Sequence, residues 1–278
     1  MDLDSFVRNN IQVFSAPVVF TRLSDAIKNP RTSVTEIGKI ISEDQGLTAR
    51  LLKMANSPFY GYPSKIETIF DAVLIMGTKQ IQNLVLATSV INVFKGIPRE
   101  FVSMETFWHH SIACGVIARV IAGYRREPNI ELFFTAGILH DIGRLIMFSK
   151  ASEKYRDIMF HCRAQNQLLF NTEREMMGFD HADLGSALLK EWKLPTNLIE
   201  MVACHHNALK AVQYFSETSI IHISDIIAHA LQIGNSGELF IPPLYEAAWE
   251  QLSFSSGILP FIVDQSLQQF ETAIGIIL

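Results

Sequence analysis

The stretch Gly137-Ile138-Leu139-His140-Asp141-Ile142-Gly143-Arg144-Leu145 places an imidazole beside a carboxylate inside an apolar run. Burying a lone carboxylate is costly, so Asp141 requires a partner or a shifted pKa. A histidine and an aspartate side by side also suit a divalent metal of hard or borderline character. The question for fold and function is which other segments bring partners to this pair.

Apolar residues recur at helical spacing on both sides of the motif, and no run alternates as a strand would. In Val34-Thr35-Glu36-Ile37-Gly38-Lys39-Ile40-Ile41 they fall three and four apart, and Leu47, Leu51, Leu52 and Met54 continue the pattern after a break at Asp44-Gln45-Gly46. Ser64-Lys65-Ile66-Glu67 reads as a capping box for a helix through Ile69, Val73 and Met76. Gly77 ends that helix, and Thr78 caps another running to about Phe94. Gly96-Ile97-Pro98 marks a boundary between an N-terminal lobe, 1–97, and a larger unit, 98–278. Beyond it, helices are expected at 104–124, 131–148, 151–176, 181–192, 196–209 and 217–233, with Asp180 and Thr196 as N-caps. Gly234-Asn235-Ser236-Gly237 and Pro242-Pro243 break the chain before helices near 243–252 and 258–274. The class is all-α.

With 49% hydrophobic and 18% charged residues, a chain of 278 can fill a core without staples. A net charge of −5 argues against non-specific nucleic-acid binding, which needs a basic face. The segment Val34 to Met54 superficially resembles a helix-turn-helix carrying Lys39, Arg50 and Lys53. Glu43 and Asp44 sit where phosphate would approach, so a packed α-hairpin is the better reading. Cys114, Cys162 and Cys204 form no Cys-x-x-Cys pair, which fits a reducing, cytoplasmic setting. The acidic start lacks a signal peptide's order, and the apolar stretch 84–94 is too short to span a membrane.

Nine histidines occur. His110, His181, His205 and His206 each fall on or beside an expected helix, and Asp225 stands mid-helix among isoleucines. Helices packed side by side can converge such groups on one or two metal ions. Each alone is more often a hydrogen-bonded core residue, and His205-His206 also suit a helix C-terminus. His222 and His229 share a helical face with Asp225 and are candidates for supporting contacts.

His110-Ser111, His140-Asp141-Ile142-Gly143 and Asp225 resemble the His…His-Asp…Asp order of the HD superfamily of metal phosphohydrolases. The wider match is to HDOD proteins, the HD-related output domain of bacterial signalling, over roughly residues 7–210. It includes the run Ser42-Glu43-Asp44-Gln45-Gly46-Leu47 on to Asn56-Ser57-Pro58-Phe59-Tyr60-Gly61. Asp71-Ala72-Val73-Leu74-Ile75-Met76-Gly77, Phe107-Trp108-His109-His110-Ser111, Asp180-His181, Trp192-Lys193-Leu194-Pro195 and His205-His206 extend it. The resemblance implies an HD-like helical bundle with an N-terminal helical lobe. It implies metal ligands at His110, His140, Asp141, His181, His205, His206 and Asp225, holding one or two ions of Fe, Mn, Zn or Ni.

Related HD-GYP enzymes cleave cyclic di-GMP, and three departures set this chain apart. Asn207-Ala208-Leu209-Lys210 stands where Gly-Tyr-Pro is expected, Arg144 replaces a lysine, and Thr106 replaces an acid. Gly61-Tyr62-Pro63 spells the tripeptide, but in the N-terminal lobe. The resemblance therefore implies a regulatory module that binds a signalling protein and a small nucleotide ligand. In the alternative, a metal-dependent phosphohydrolase acting on a nucleotide, Asp141 would bind metal and Arg144 would steady phosphate. Asn56, Phe59 and Tyr60 are the expected partner or ligand surface.

Overall fold

A computed structural model describes residues 2–94, 97 and 100–278. The expected boundary at Gly96-Ile97-Pro98 falls largely outside the described residues. Among those described, every regular element is helical and no strand occurs. The N-terminal part comprises α1 (Leu3–Asn10), α2 (Val18–Lys28), α3 (Val34–Ser42), α4 (Gln45–Ala55), α5 (Ile69–Met76) and α6 (Thr78–Ser89). Then follow α7 (Met104–Tyr124), α8 (Ile130–Leu139), α9 (Ile142–Lys150), α10 (Ser152–Gln165), α11 (Leu169–Met177) and α12 (His181–Glu191). The chain continues through α13 (Thr196–Cys204), α14 (Phe215–Ala230), α15 (Glu246–Leu252) and α16 (Leu259–Ile277).

Local chemistry sets several of these ends. Ser33 and Glu36 form a reciprocal capping box at α3, where Ile37 and Ile41 then face inward four residues apart. The box at α5 is Thr68 with Asp71, not the expected Ser64 and Glu67. Both pairs obey the same spacing rule, and the later one lies directly before the apolar run. Thr78 and Thr196 are first helical residues rather than caps, because Gly77 and Pro195 take the cap positions. Asp180 does cap α12, boxed with Asp183. The helix expected to reach Phe94 ends at Ser89 and passes into a 3-10 turn. The 151–176 helix is two, divided at Asn166, whose φ of 50° is left-handed.

The expected 131–148 helix is also two, α8 and α9, and they meet at His140-Asp141. The span Ile130–Lys150 is long and apolar enough to cross a membrane, but 94% of its apolar 18-residue window is buried within the fold. Its apolarity is spent on the core. Helix α7, buried along most of its length, is the other central element, and α8 packs closely along it. Their crossing needs two glycines. A Cβ on Gly115 would lie 2.6 Å from the Phe134 carbonyl oxygen, and one on Gly137 would lie 2.4 Å from the Gly115 Cα. A third, Gly143, lets α9 meet the start of α12: its Cβ would lie 2.0 Å from the His181 oxygen. These contacts bring His110, His140, Asp141 and His181 together.

The apolar core is continuous, with members from Phe6 to Ile277 on both sides of the expected 97/98 boundary. The Trp192 indole donates to the Phe14 carbonyl at 2.8 Å, and Phe59 meets Phe134 edge-on at 5.3 Å. Gly137→Ala should lower the unfolding free energy by about 3 kcal/mol, since backbone must move to admit the methyl. Gly123→Ala, on the same helix system with nothing within 4 Å of its Cβ, should raise it by about 0.5–1 kcal/mol. Urea denaturation of the two variants checks both signs.

Candidate metal centre

The break between α8 and α9 turns Asp141 inward. It stands at the N-cap of α9 but makes no capping hydrogen bond, so its carboxylate is left for the interior. Around it converge His110 from α7, His140 from the end of α8, His181 from α12, His205 and His206 from the end of α13, and Asp225 from α14. All seven expected positions thus meet in one cluster, and each is between 0% and 7% exposed.

His181 Nε2 lies 2.9 Å from Asp141 Oδ1, and His140 Nε2 lies 3.2 Å from Oδ2. His110 and His205 approach the same carboxylate at 3.8 and 3.9 Å. Asp225 Oδ1 faces His110 at 3.1 Å, His229 at 3.3 Å and His140 at 3.5 Å. His206 Nε2 is 2.8 Å from His181 Nε2 and stacks on Phe170. Three overlapping sets result, each with its donor atoms within 4.8 Å of one another: His110, His140 and Asp225; His140, Asp141 and His205; His181, His205 and His206.

The far side of each ring shows how it is oriented. His140 Nδ1 donates to the Gly137 carbonyl at 2.6 Å, and His205 Nδ1 donates to that of Val202 at 2.7 Å. Both Nε2 atoms are therefore directed inward. His181 Nδ1 lies 2.6 Å from Glu173, whose carboxylate also accepts from the His181 backbone and from buried Tyr155. Such outer hydrogen bonds fix the tautomers of metal-ligating histidines. His205 Nε2 is buried without a hydrogen-bond partner, and His140 Nε2 and both Asp141 oxygens have none beyond the ion-pair approaches just described. Polar atoms in that state are costly, and nitrogen and oxygen donors converging there fit a divalent transition metal.

Protonation follows the same geometry. Burial pulls His205 down to about 3, aided by the neighbouring His140 and His181 charges. Burial likewise takes His110 to about 4, despite its hydrogen bond to Asp225. His206 is held well below its ordinary value by burial and then by His205 and His181. Burial also opposes protonation of His181, as does Arg144, but Glu173 and Asp141 prevail and raise it to about 9. Burial pushes the Asp141 carboxyl upward, but Arg144, His140 and His181 hold it well below the usual range.

Arg144 is fully enclosed. Its Nε lies 3.3 Å from both Asp141 Oδ1 and His181 Nδ1, and Nη1 donates to the Ser236 hydroxyl at 2.7 Å. Thr106, the position that lacks an acid, donates its hydroxyl to Ser103, and its carbonyl accepts from Asn235. Of the two expected supporting histidines, only His229 touches Asp225. His222 instead donates to the His205 carbonyl at 2.7 Å and accepts from the Tyr245 amide. Sequence reasoning missed Glu173, Tyr155 and Ser236. Glu173 had a signal: it falls four residues from both Leu169 and Met177, on the buried stripe of α11.

Of the expected ligand surface, Asn56 is exposed, Tyr60 is partly exposed and Phe59 is buried. Asn56 spends its amide on Leu52 and Ile66, and Phe59 is buried under the Arg119 guanidinium, 3.9 Å from the ring centroid. The Tyr60 hydroxyl donates to Glu131 at 2.5 Å, which also pairs with Arg119. Edges of Phe59, Tyr60 and Arg119 line a cleft of about 420 Å³ with Gln265 and Gln269 of α16.

The HDOD domain model matches residues 13–208. The chain belongs to the HDOD family. A solved HDOD domain protein of unknown function from Geobacter sulfurreducens is 21% identical, with a TM-score of 0.74 covering 96% of this chain and 98% of that one. A Shewanella amazonensis protein proposed to be a phosphohydrolase is 22% identical, with a TM-score of 0.74 over 99% and 96%. A Marinobacter aquaeolei protein proposed to act in signal transduction is 16% identical, with a TM-score of 0.70 over 96% of this chain and 60% of its own. At these identities the likeness is one of fold. An uncharacterized Treponema pallidum (strain Nichols) protein is 27% identical over 195 residues, and the chain spans 37% of its length.

Below about pH 6.5 the pH dependence of the ion-free chain has a definite sign. An unfolded histidine takes its proton near 6.5, whereas folded His110 and His205 do so only near 4 and 3. Between those values the unfolded chain binds more protons, so stability rises with pH. Thermal denaturation should show the melting temperature falling as pH drops from about 6.5 to about 4, and His205→Gln should shrink that fall.

Proposed function

We propose that this HDOD chain is a bacterial signalling module that works by binding a protein partner, with a metal centre serving structure or sensing rather than turnover. The observation that carries this reading is enclosure. The whole donor cluster is buried, and Arg144, the residue expected to steady a phosphate, is committed to Asp141 and Ser236. A guanidinium so placed neutralises the central carboxylate and leaves little to offer a substrate. The replacement of Gly-Tyr-Pro and the missing acid at Thr106 agree with it.

His140, Asp141, His181 and His205 would be the innermost ligands, with His110, His206 and Asp225 completing one or two positions for Fe, Mn, Zn or Ni. A metal so held would supply the charge that binds the Asp141 carboxylate and would take the place of the protons His140 and His181 carry without it. A small nucleotide ligand belongs to the same reading, as does a reducing, cytoplasmic setting for three cysteines that form no disulfide. The hydrolytic alternative draws support from the overlap of donor sets on either side of Asp141, the layout a two-metal phosphohydrolase uses.

Metal analysis of protein purified without chelator should find one or two ions per chain, and added manganese or iron should give no phosphodiester hydrolysis. Turnover that disappears in Asp141→Ala would overturn the non-catalytic reading. Glu173→Gln, which loosens His181 without removing it, should weaken ion affinity about ten- to a hundredfold in competition with a chelating dye.

A further inference from the structure

We propose that residues 234–240 are a latch on the histidine–aspartate centre, released whenever an ion enters or leaves; this rests on the metal-holding reading above. In the closed arrangement every donor is buried, so exchange requires some element to move. The helices are poor candidates. Helices α7 and α8 interlock at Gly115 and Gly137, and α9 and α12 at Gly143, with approaches too close for a single added carbon. Parting them would expose the core.

The segment 234–240 is fastened differently. Gly234, with a φ of 69°, lies so close to the start of α7 that a Cβ would sit 2.3 Å from the His110 nitrogen. The Asn235 amide donates to the Thr106 carbonyl at 2.9 Å. Ser236 receives the far end of the Arg144 guanidinium, whose near end lies against Asp141 and His181. Glu238 is buried and caps α11, accepting from the Leu169 amide at 2.7 Å while its other oxygen accepts from Leu239 and Phe240. Beyond it Leu239, Ile241 and Leu244 are each about half exposed and anchor little. Ser236, Gly237 and Glu238 are buried and Gly234 lies close against α7, but the segment has no large apolar side chain in the core, so opening it exposes less apolar surface than parting two helices. Those polar contacts end on Arg144 and on the Thr106 carbonyl, one turn before His110 on α7, so releasing them frees the groups that close the centre.

Glu238 is the decisive fastening. A glutamine has one acceptor oxygen where the carboxylate has two, so one set of backbone donors would face an amide NH₂. Zinc-loaded parent, Glu238→Gln and Ser236→Ala chains should be challenged with excess EDTA while metal release is followed, with hydrogen exchange of the 233–245 peptide measured in parallel. Leu51→Ala, a core truncation in α4, serves as the control for general destabilisation. The latch requires release at least tenfold faster in Glu238→Gln, faster peptide exchange, and unchanged release in Leu51→Ala. Parent-like release in Glu238→Gln, or equal acceleration in Leu51→Ala, overturns the latch while leaving the metal centre standing. A parent chain that takes up no zinc, manganese or iron overturns both.

Discussion

The buried carboxylate of Asp141 is the constraint on which the rest of the centre depends. Removed from water, it is tolerable only where positive charge and donors surround it. Arg144 supplies a permanent charge from one turn along the same helix, and His140 and His181 supply further charge from the neighbouring residue and from α12. These partners are themselves held: His181 by Glu173, Glu173 by Tyr155, and Arg144 by Ser236. A polar network in an apolar interior specifies its arrangement only when its members are satisfied. Here the inner atom of His205 is not, and those of His140 and Asp141 meet only one another and His181, which makes a cation the natural complement.

Much of this was legible from residue order. Helical spacing gave the class, and the positions of His110, His140, Asp141, His181, His205, His206 and Asp225 were each visible as polar groups at apolar sites. Their convergence followed from a resemblance, not from any rule of spacing. What was not legible has physical causes. A continuous apolar pattern conceals a break such as that at His140-Asp141, because both halves are buried and periodicity does not register the bend. Thr68 and Ser64 offer equivalent caps, and the choice between them depends on where the loop from α4 arrives. Ser236 lies in a glycine-rich loop whose path is set by tertiary contact alone.

The glycines of the core connect fold to site. Gly143 belongs to the same short motif as Asp141, and its missing side chain lets α9 touch the start of α12. The aspartate and His181 therefore become neighbours through a packing choice made two residues away. Gly115 and Gly137 do the same for α7 and α8, setting the depth at which His110 and His140 face each other. Phe59 and Tyr60 read as a recognition loop, and they pack on the Arg119–Glu131 ion pair while their edges line a cleft.

His110 and Asp225 touch although 115 positions separate them in the chain, with the other donors scattered between. No short fragment contains the centre, and closing so long a loop carries an entropic cost that only the finished fold repays. An ion held there therefore distinguishes native chains from all others. By mass action it adds stability in proportion to the logarithm of its free concentration, coupling the persistence of the folded protein to the metal supply of its surroundings.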